Sequence, residues 1–355
     1  MEKILIKGGR LWNGEDFEYA DVLTDGKVIS RIAANIDEPA DYVYDATGKT
    51  VTAGLVDIHT HMRGISIDKF GFDAHMCTIP FGVTAAIDVS AEKDNTDVID
   101  TLMINSAVLV VANIVNDCAD FTGTQKQLEI YGDRVVGVKV FFDTNAPDVK
   151  SEKPLRQICE FAHQRGLRVM VHSSNSPVSF ATLVDVLGKG DIITHAFHGG
   201  KNNSSLDSYE SMKIAKERGI IIDVGFAGHV HTDFAVLGGA IARGVIPDVI
   251  STDITRCSAY CRGGRYGMTM CMSIARTLGM SERDIFKSVT VNAASAVGKY
   301  PQWGTLRVGE AADIAVIDYS DESFELVDNV GNKVSSPTGY RCSMTMIDGE
   351  IIFRD

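Results

Sequence analysis

No run of apolar residues in this chain reaches the roughly 18 uncharged positions that a membrane-spanning helix needs. The opening Met1-Glu-Lys-Ile-Leu-Ile-Lys-Gly-Gly9 lacks the apolar core and small-residue cleavage site of a secretory leader, and reads as a first β-strand. Positive charge is in deficit: 34 lysines and arginines against 47 acidic residues give a formal net charge of -13. Nucleic acid and anionic membranes attract basic surfaces, so neither is expected as a partner. The seven cysteines are odd in number and scattered, which fits no disulfide framework or zinc-ribbon spacing. Reduced thiols in a cytoplasmic protein are the simplest expectation. No internal repeat, low-complexity tract or long linker is present. At 355 residues the chain can bury a large core, enough for an α/β barrel of about 250 residues plus a smaller unit.

What is present is alternation. From about residue 54 to 300, short β-branched or apolar runs are followed by stretches of helical period. Strands are expected at 55–61, 83–89, 107–116, 135–142, 167–172, 192–195, 220–224 and 249–253. Helices are expected between them at 154–165, 180–187, 208–218, 233–243 and 266–278. Pro154 suits a first helical turn, and Gly166 and Gly219 suit the residue after a helix. Eight strands alternating with helices predict parallel pairing and a (β/α)8 TIM barrel over residues 53–302. The flanks, 1–52 and 303–355, are strand-rich with turns at Asn13-Gly14, Asp25-Gly26 and Asp348-Gly349. They predict one small β-sandwich built from both termini.

Five of the expected strands end in chemistry. His59 and His61 close the run Gly54-Leu-Val-Asp-Ile-His-Thr-His61, and residues i and i+2 of a strand share a face. Lys139, His172, His195 and Asp253 end four further strands. In such a barrel the strand ends converge on one rim, so these six side chains form a ligand set for two divalent cations. Neutral imidazoles and a carboxylate suit zinc or a similar first-row ion. An ammonium buried beside cations is disfavoured, and a neutral amine at Lys139 can take up carbon dioxide as a bridging carbamate, N6-carboxylysine. Such a centre makes hydroxide from water near neutral pH and polarises a carbonyl. Asp253 would accept the water proton and deliver it to the leaving group. The expected reaction is hydrolysis of an amide or ester.

These residues, in this order along the chain, resemble the binuclear-metal branch of the amidohydrolase superfamily, which includes dihydroorotase, hydantoinase and D-aminoacylase. Gly304-Thr-Leu-Arg-Val-Gly-Glu-Ala-Ala-Asp-Ile-Ala-Val316 is similar to the family's return segment into its β-sandwich. Gly188-Lys-Gly-Asp-Ile-Ile-Thr-His-Ala-Phe-His-Gly199, with Ile250-Ser-Thr-Asp253, is similar to a subgroup often labelled deacetylase-like. The resemblance implies that His59, His61 and Asp253 bind the more buried metal and His172 and His195 the second, with carboxylated Lys139 between them. It also implies a homo-oligomer.

Substrate contacts are expected from Arg63, His198, His229 and Arg256. Arg63 matches the arginine that contacts the substrate carboxylate in dihydroorotase, although Asp88-Val-Ser90 replaces that family's asparagine-threonine element. Arg256, Arg262 and Arg265 cluster after the eighth expected strand, and guanidinium forks match carboxylates. His198 and His229 lie in the loops after strands six and seven. His231 reads as a solvated or helix-start residue, and His75 and His163 carry no signal. The substrate is therefore expected to be a small acylated, carboxylate-bearing molecule. The alternatives are a cyclic-amide hydrolase, a deaminase, or an inactive binding protein.

Overall fold

A computed structural model describes residues 2–62, 71–91, 95–228, 230–261 and 266–355. Seven parallel strands form a curled sheet in sequence order: β1 (Leu55–Thr60), β2 (Val83–Ala91), β3 (Asn105–Val115), β4 (Val135–Phe141), β5 (Arg168–His172), β6 (Ile192–Thr194) and β7 (Ile221–Ile222). Every residue of β1 is buried, as in parallel sheets covered on both faces. On β4 and β5, Val138, Val140, Val169 and Val171 share a core with Leu155, Ile158, Ala162, Leu183 and Val184 of the covering helices. The pleat then turns Lys139 and His172 to the opposite face, inside the curl.

Segment 249–254 lies beside both edges of this sheet. Asp223 bridges Val249 and Thr60 bridges Ile254, both in parallel sense. Phe226 and Ala227 donate backbone hydrogen bonds to Ser251 and Thr252, and His61 donates to Ile254. The expectation of a regular eighth strand at 249–253 is corrected here. The segment makes isolated bridges because Asp253 has φ 47°, which breaks the extended backbone that a ladder requires.

The helices follow their amphipathic patterns. Lys153–His163 opens on Pro154 in its first turn and buries Leu155, Ile158, Phe161 and Ala162. Full burial of such a Leu or Ile is worth about 1.5–3 kcal/mol each. Phe180–Val186, Glu210–Glu217, Phe234–Ile241 and Met268–Thr277 fall within their expected stretches. Gly166 and Gly219 have φ of 68° and 73°, the left-handed conformation of a helix stop.

Strands from the two chain ends pair with each other. Thr50–Ala53 lies antiparallel to Ile314–Ser320 in a six-stranded sheet completed by Arg10–Trp12, Phe17–Tyr19, Gly339–Ile347 and Glu350–Arg354. A four-stranded sheet contains Lys3–Lys7, Asp21–Asp25, Val28–Ala33 and Tyr42–Asp45. Ile4, Ile6, Val22 and Ile29 share one hydrophobic core with Val51, Ile314, Val316 and Met344. The hairpin turn at Asp348-Gly349 has both φ values positive, 49° and 77°.

Candidate metal centre

His59 near the end of β1, Lys139 near the end of β4, His172 ending β5, His195 just past β6 and Asp253 in the bridging segment meet inside the C-terminal rim. His61, partly exposed, places Nε2 2.9 Å from Asp253 Oδ1. His59 Nε2 lies 3.3 Å from the same oxygen and 2.9 Å from Lys139 Nζ. His195 Nε2 is 3.7 Å from Asp253 Oδ2, and the His172 and His195 rings are 4.4 Å apart. All six expected ligands are therefore brought together.

The centre is held by a second set of hydrogen bonds. His59 Nδ1 is 2.9 Å from Thr194 Oγ1, and that hydroxyl donates to Asp223 Oδ2 at 2.6 Å. His195 Nδ1 lies 2.7 Å from the carbonyl oxygen of Gly225. In both rings this leaves Nε2, with its lone pair, facing the centre. Gly225 is required for the approach: a Cβ there would stand 2.4 Å from Thr194 Oγ1 and 2.7 Å from His195 Nδ1. Asp57 accepts from the Thr252 backbone N–H and hydroxyl, while Tyr266 donates to the Thr252 carbonyl. Thr252 is thus pinned from two sides, which fixes the strained left-handed backbone of Asp253. His195 is strained in the same way, with φ 59°.

Burial dominates the electrostatics. It pushes His59 down to about 4 and His172 to about 3, and holds His195 well below its usual range, so all three imidazoles are neutral near pH 7. Burial lowers Lys139 to about 8, which raises the neutral fraction of its amine. For Asp253, burial acts upward, but His59, His61 and His231 outweigh it and hold the carboxyl well below the usual carboxylate range. The donor set fits two cations. His59, His61 and Asp253 place ligand atoms within 4.8 Å of one another, and His172 and His195 do so with a third imidazole. His172 Nε2 is buried with no hydrogen-bond partner among the described residues, its nearest carboxylate oxygen (Asp143 Oδ2) standing 3.5 Å away. A buried imidazole nitrogen with so weak a protein partner suits a cation ligand.

The third imidazole is His231, which corrects the expectation that it is solvated. Its ring is 4.1 Å from that of His195 and 4.9 Å from that of His172. The turn after β7, with positive φ at Gly225, Ala227 and Gly228, folds the chain back over the rim. Nothing periodic marks such a residue; its place in a rim loop was the available signal. His198 is buried in the loop after β6, with Nδ1 accepting from Gly200 N and Nε2 unpartnered among the described residues. Arg256, half-buried, opens the helix Arg256–Cys261 three residues past Asp253. Arg63, His229, Arg262 and Arg265 lie outside the described residues. His163, silent in sequence, binds Asp191 at 2.9 Å, and Asp191 also accepts from Val169 N and Gly188 N. With Cys159 nearby, that trio is accounted for as a hydrogen-bonded staple between a helix and the start of β6. His75 accepts from Met103 N.

A curled parallel α/β sheet carrying an imidazole-rich cluster at its C-terminal rim defines a metal-binding, TIM-like enzyme. The amidohydrolase family model matches residues 50–352, so the chain belongs to the amidohydrolase family and is a hydrolase. It is 26% identical to a deacetylase of Enterococcus faecalis over 98% of each chain, and 26% identical to a dihydroorotase of Anaeromyxobacter sp. (strain K) over 90% of this chain and 89% of that one. Among solved structures, a dihydroorotase superposes with TM-score 0.88 at 22% identity, covering 99% of both chains. An adenine deaminase does so with TM-score 0.87 at 23% identity, covering all of both. At these identities the two structures speak to the fold. No helix among the described residues is long and apolar enough to cross a membrane.

Proposed function

We propose that this chain hydrolyses the amide or ester bond of a small acylated, carboxylate-bearing molecule at a pair of divalent cations, zinc suiting the imidazole-rich set. The observation that carries this reading is the convergence of His59, His61 and Asp253 with His172 and His195 around the buried Lys139. Bound there, the cations would supply Lewis-acid polarisation of the scissile carbonyl and a more acidic water. Asp253, a carboxylate near pH 7 and able to accept hydrogen bonds, takes the proton of the attacking water and returns it to the leaving group. The neutral Lys139 amine attacks carbon dioxide, its nitrogen–carbon bond forms as a proton leaves, and the resulting carbamate supplies an anion between the two ligand groups. Arg256, with Arg63, His198 and His229, is assigned to the substrate. On this reading segment 249–254 completes a (β/α)8 barrel, and the two end sheets form its β-sandwich.

The deacetylase name of relatives matched over 84% and 98% of their length favours an acyl substrate. The dihydroorotase relatives favour a second reading, ring opening of a cyclic amide. Metal analysis of purified protein, followed by a screen of N-acyl amino acids, acyl esters of hydroxy acids and cyclic imides, tests both. About two ions per chain and turnover of an open-chain acyl compound are expected. Protein that takes up no metal under zinc reconstitution refutes the proposal; turnover of cyclic imides alone selects the second reading, and ammonia release selects a deaminase.

A further inference from the structure

We propose that His231 is a protein ligand of the second cation, making that site a three-imidazole one rather than a pair of histidines. The inference rests on the metal reading above. His172, His195 and His231 place ligand nitrogens within 4.8 Å of one another, as tight a group as His59, His61 and Asp253. The ring centroids are 4.1–4.9 Å apart, two pairs edge to face and the third tilted.

The hydrogen bonds behind the rings point the same way. His195 Nδ1 is engaged by the Gly225 carbonyl and His231 Nδ1 by Ser174 Oγ at 3.0 Å. His195 and His231 thus each have Nδ1 engaged, which leaves Nε2 as the nitrogen each can offer a cation, and His172 Nε2 is buried with Asp143 Oδ2 3.5 Å away. Metal-bound histidines are held in this fashion, the far nitrogen fixing tautomer and ring angle. A solvated loop histidine has no need of a serine from the end of β5 to orient it. Ser174 lies two residues past His172, so the same strand end supplies one ligand and the anchor for another.

The two sites then differ in charge. The first contains the Asp253 carboxylate, whereas the side chains of the second would be three imidazoles beside Lys139. With His231 the second site would have three protein nitrogens in addition to the Lys139 carbamate.

The test is zinc titration of metal-stripped wild type, His231→Ala and Ser174→Ala, with folding checked by circular dichroism. Wild type is expected to bind two ions. His231→Ala should bind the first ion normally and the second at least about a hundredfold more weakly, and Ser174→Ala should weaken the second about tenfold. Zinc-edge X-ray absorption of unmutated protein needs no variant: five imidazoles over two ions support the proposal, and four overturn it. His231→Ala holding both ions with wild-type affinity also overturns it. Wild type binding no ion refutes instead the metal reading on which this rests.

Discussion

Replacing Thr194 by valine keeps the shape of the last residue of β6 and deletes one hydroxyl. That hydroxyl commits its hydrogen to Asp223 Oδ2 at 2.6 Å, so its oxygen accepts from His59 Nδ1 at 2.9 Å. The valine variant leaves a buried imidazole N–H and a buried carboxylate each one partner short. Unmet buried groups cost about 1–3 kcal/mol apiece. Asp223 keeps the Ser251 hydroxyl at 2.8 Å, and its Oδ2 stands 3.8 Å from His59 Nδ1, close enough to take over part of the lost bond. The sum is therefore placed at about 2–4 kcal/mol for the metal-free protein. A second effect is on the cation: His59 loses the partner that fixes its tautomer, and first-site affinity should fall about 10–100-fold, or ~1.4–2.7 kcal/mol. Urea unfolding at constant m-value measures the first quantity, and chelator competition the second. Thr194→Ser restores the hydroxyl and should recover both. A valine variant with wild-type metal affinity and stability would show that the Asp223–Thr194–His59 chain orients nothing.

Other consequences follow from the same geometry. Gly225→Ala drives a Cβ to 2.4 Å from Thr194 Oγ1 at φ +57°, costing about 1 kcal/mol in backbone strain and about 1–3 in overpacking. It should lose the second ion on dialysis, and retention of both ions with an unchanged melting temperature would contradict the role given to the Gly225 carbonyl. Asp253→Asn removes the proton acceptor and should lower kcat by about 10²–10⁴ while the protein stays folded; near wild-type kcat would end the assignment. In the metal-free protein, buried His59, His172 and His198, at about 4, 3 and 4, bind fewer protons than the unfolded chain between those values and 6.5. Each contributes stability that is complete above pH 6.5 and lost as the pH falls toward 4, at up to about 1.4 kcal/mol per pH unit. Asp57, raised by burial to about 7, works against them over the same range, since its proton stabilises the fold below pH 7. Three groups outweigh one, so the denaturation midpoint should fall on acidification from 6.5 to 4. A flat profile would mean that these imidazoles are not buried in neutral form.

What the sequence by itself determined was local and periodic. The apolar run into His59-Thr-His61, Pro154 and Gly166 around a helix, and Asp348-Gly349 at a hairpin each act on near neighbours, so their structure is written in adjacent residues. The convergence of these six side chains was legible because each sits at the end of such a run, and parallel strands of a curled sheet bring their ends to one rim. Tertiary structure alone decided the rest. That His231 turns inward depends on Ser174, 57 residues away, and on a glycine-rich turn after β7; neither alters the periodicity of its own segment. That 249–254 bridges the sheet without forming a ladder depends on Thr252 being held by Asp57, 195 residues earlier. Contacts of that span form only when distant segments pack together, and burial inside the curl is what keeps the imidazoles neutral and the lysine amine partly so.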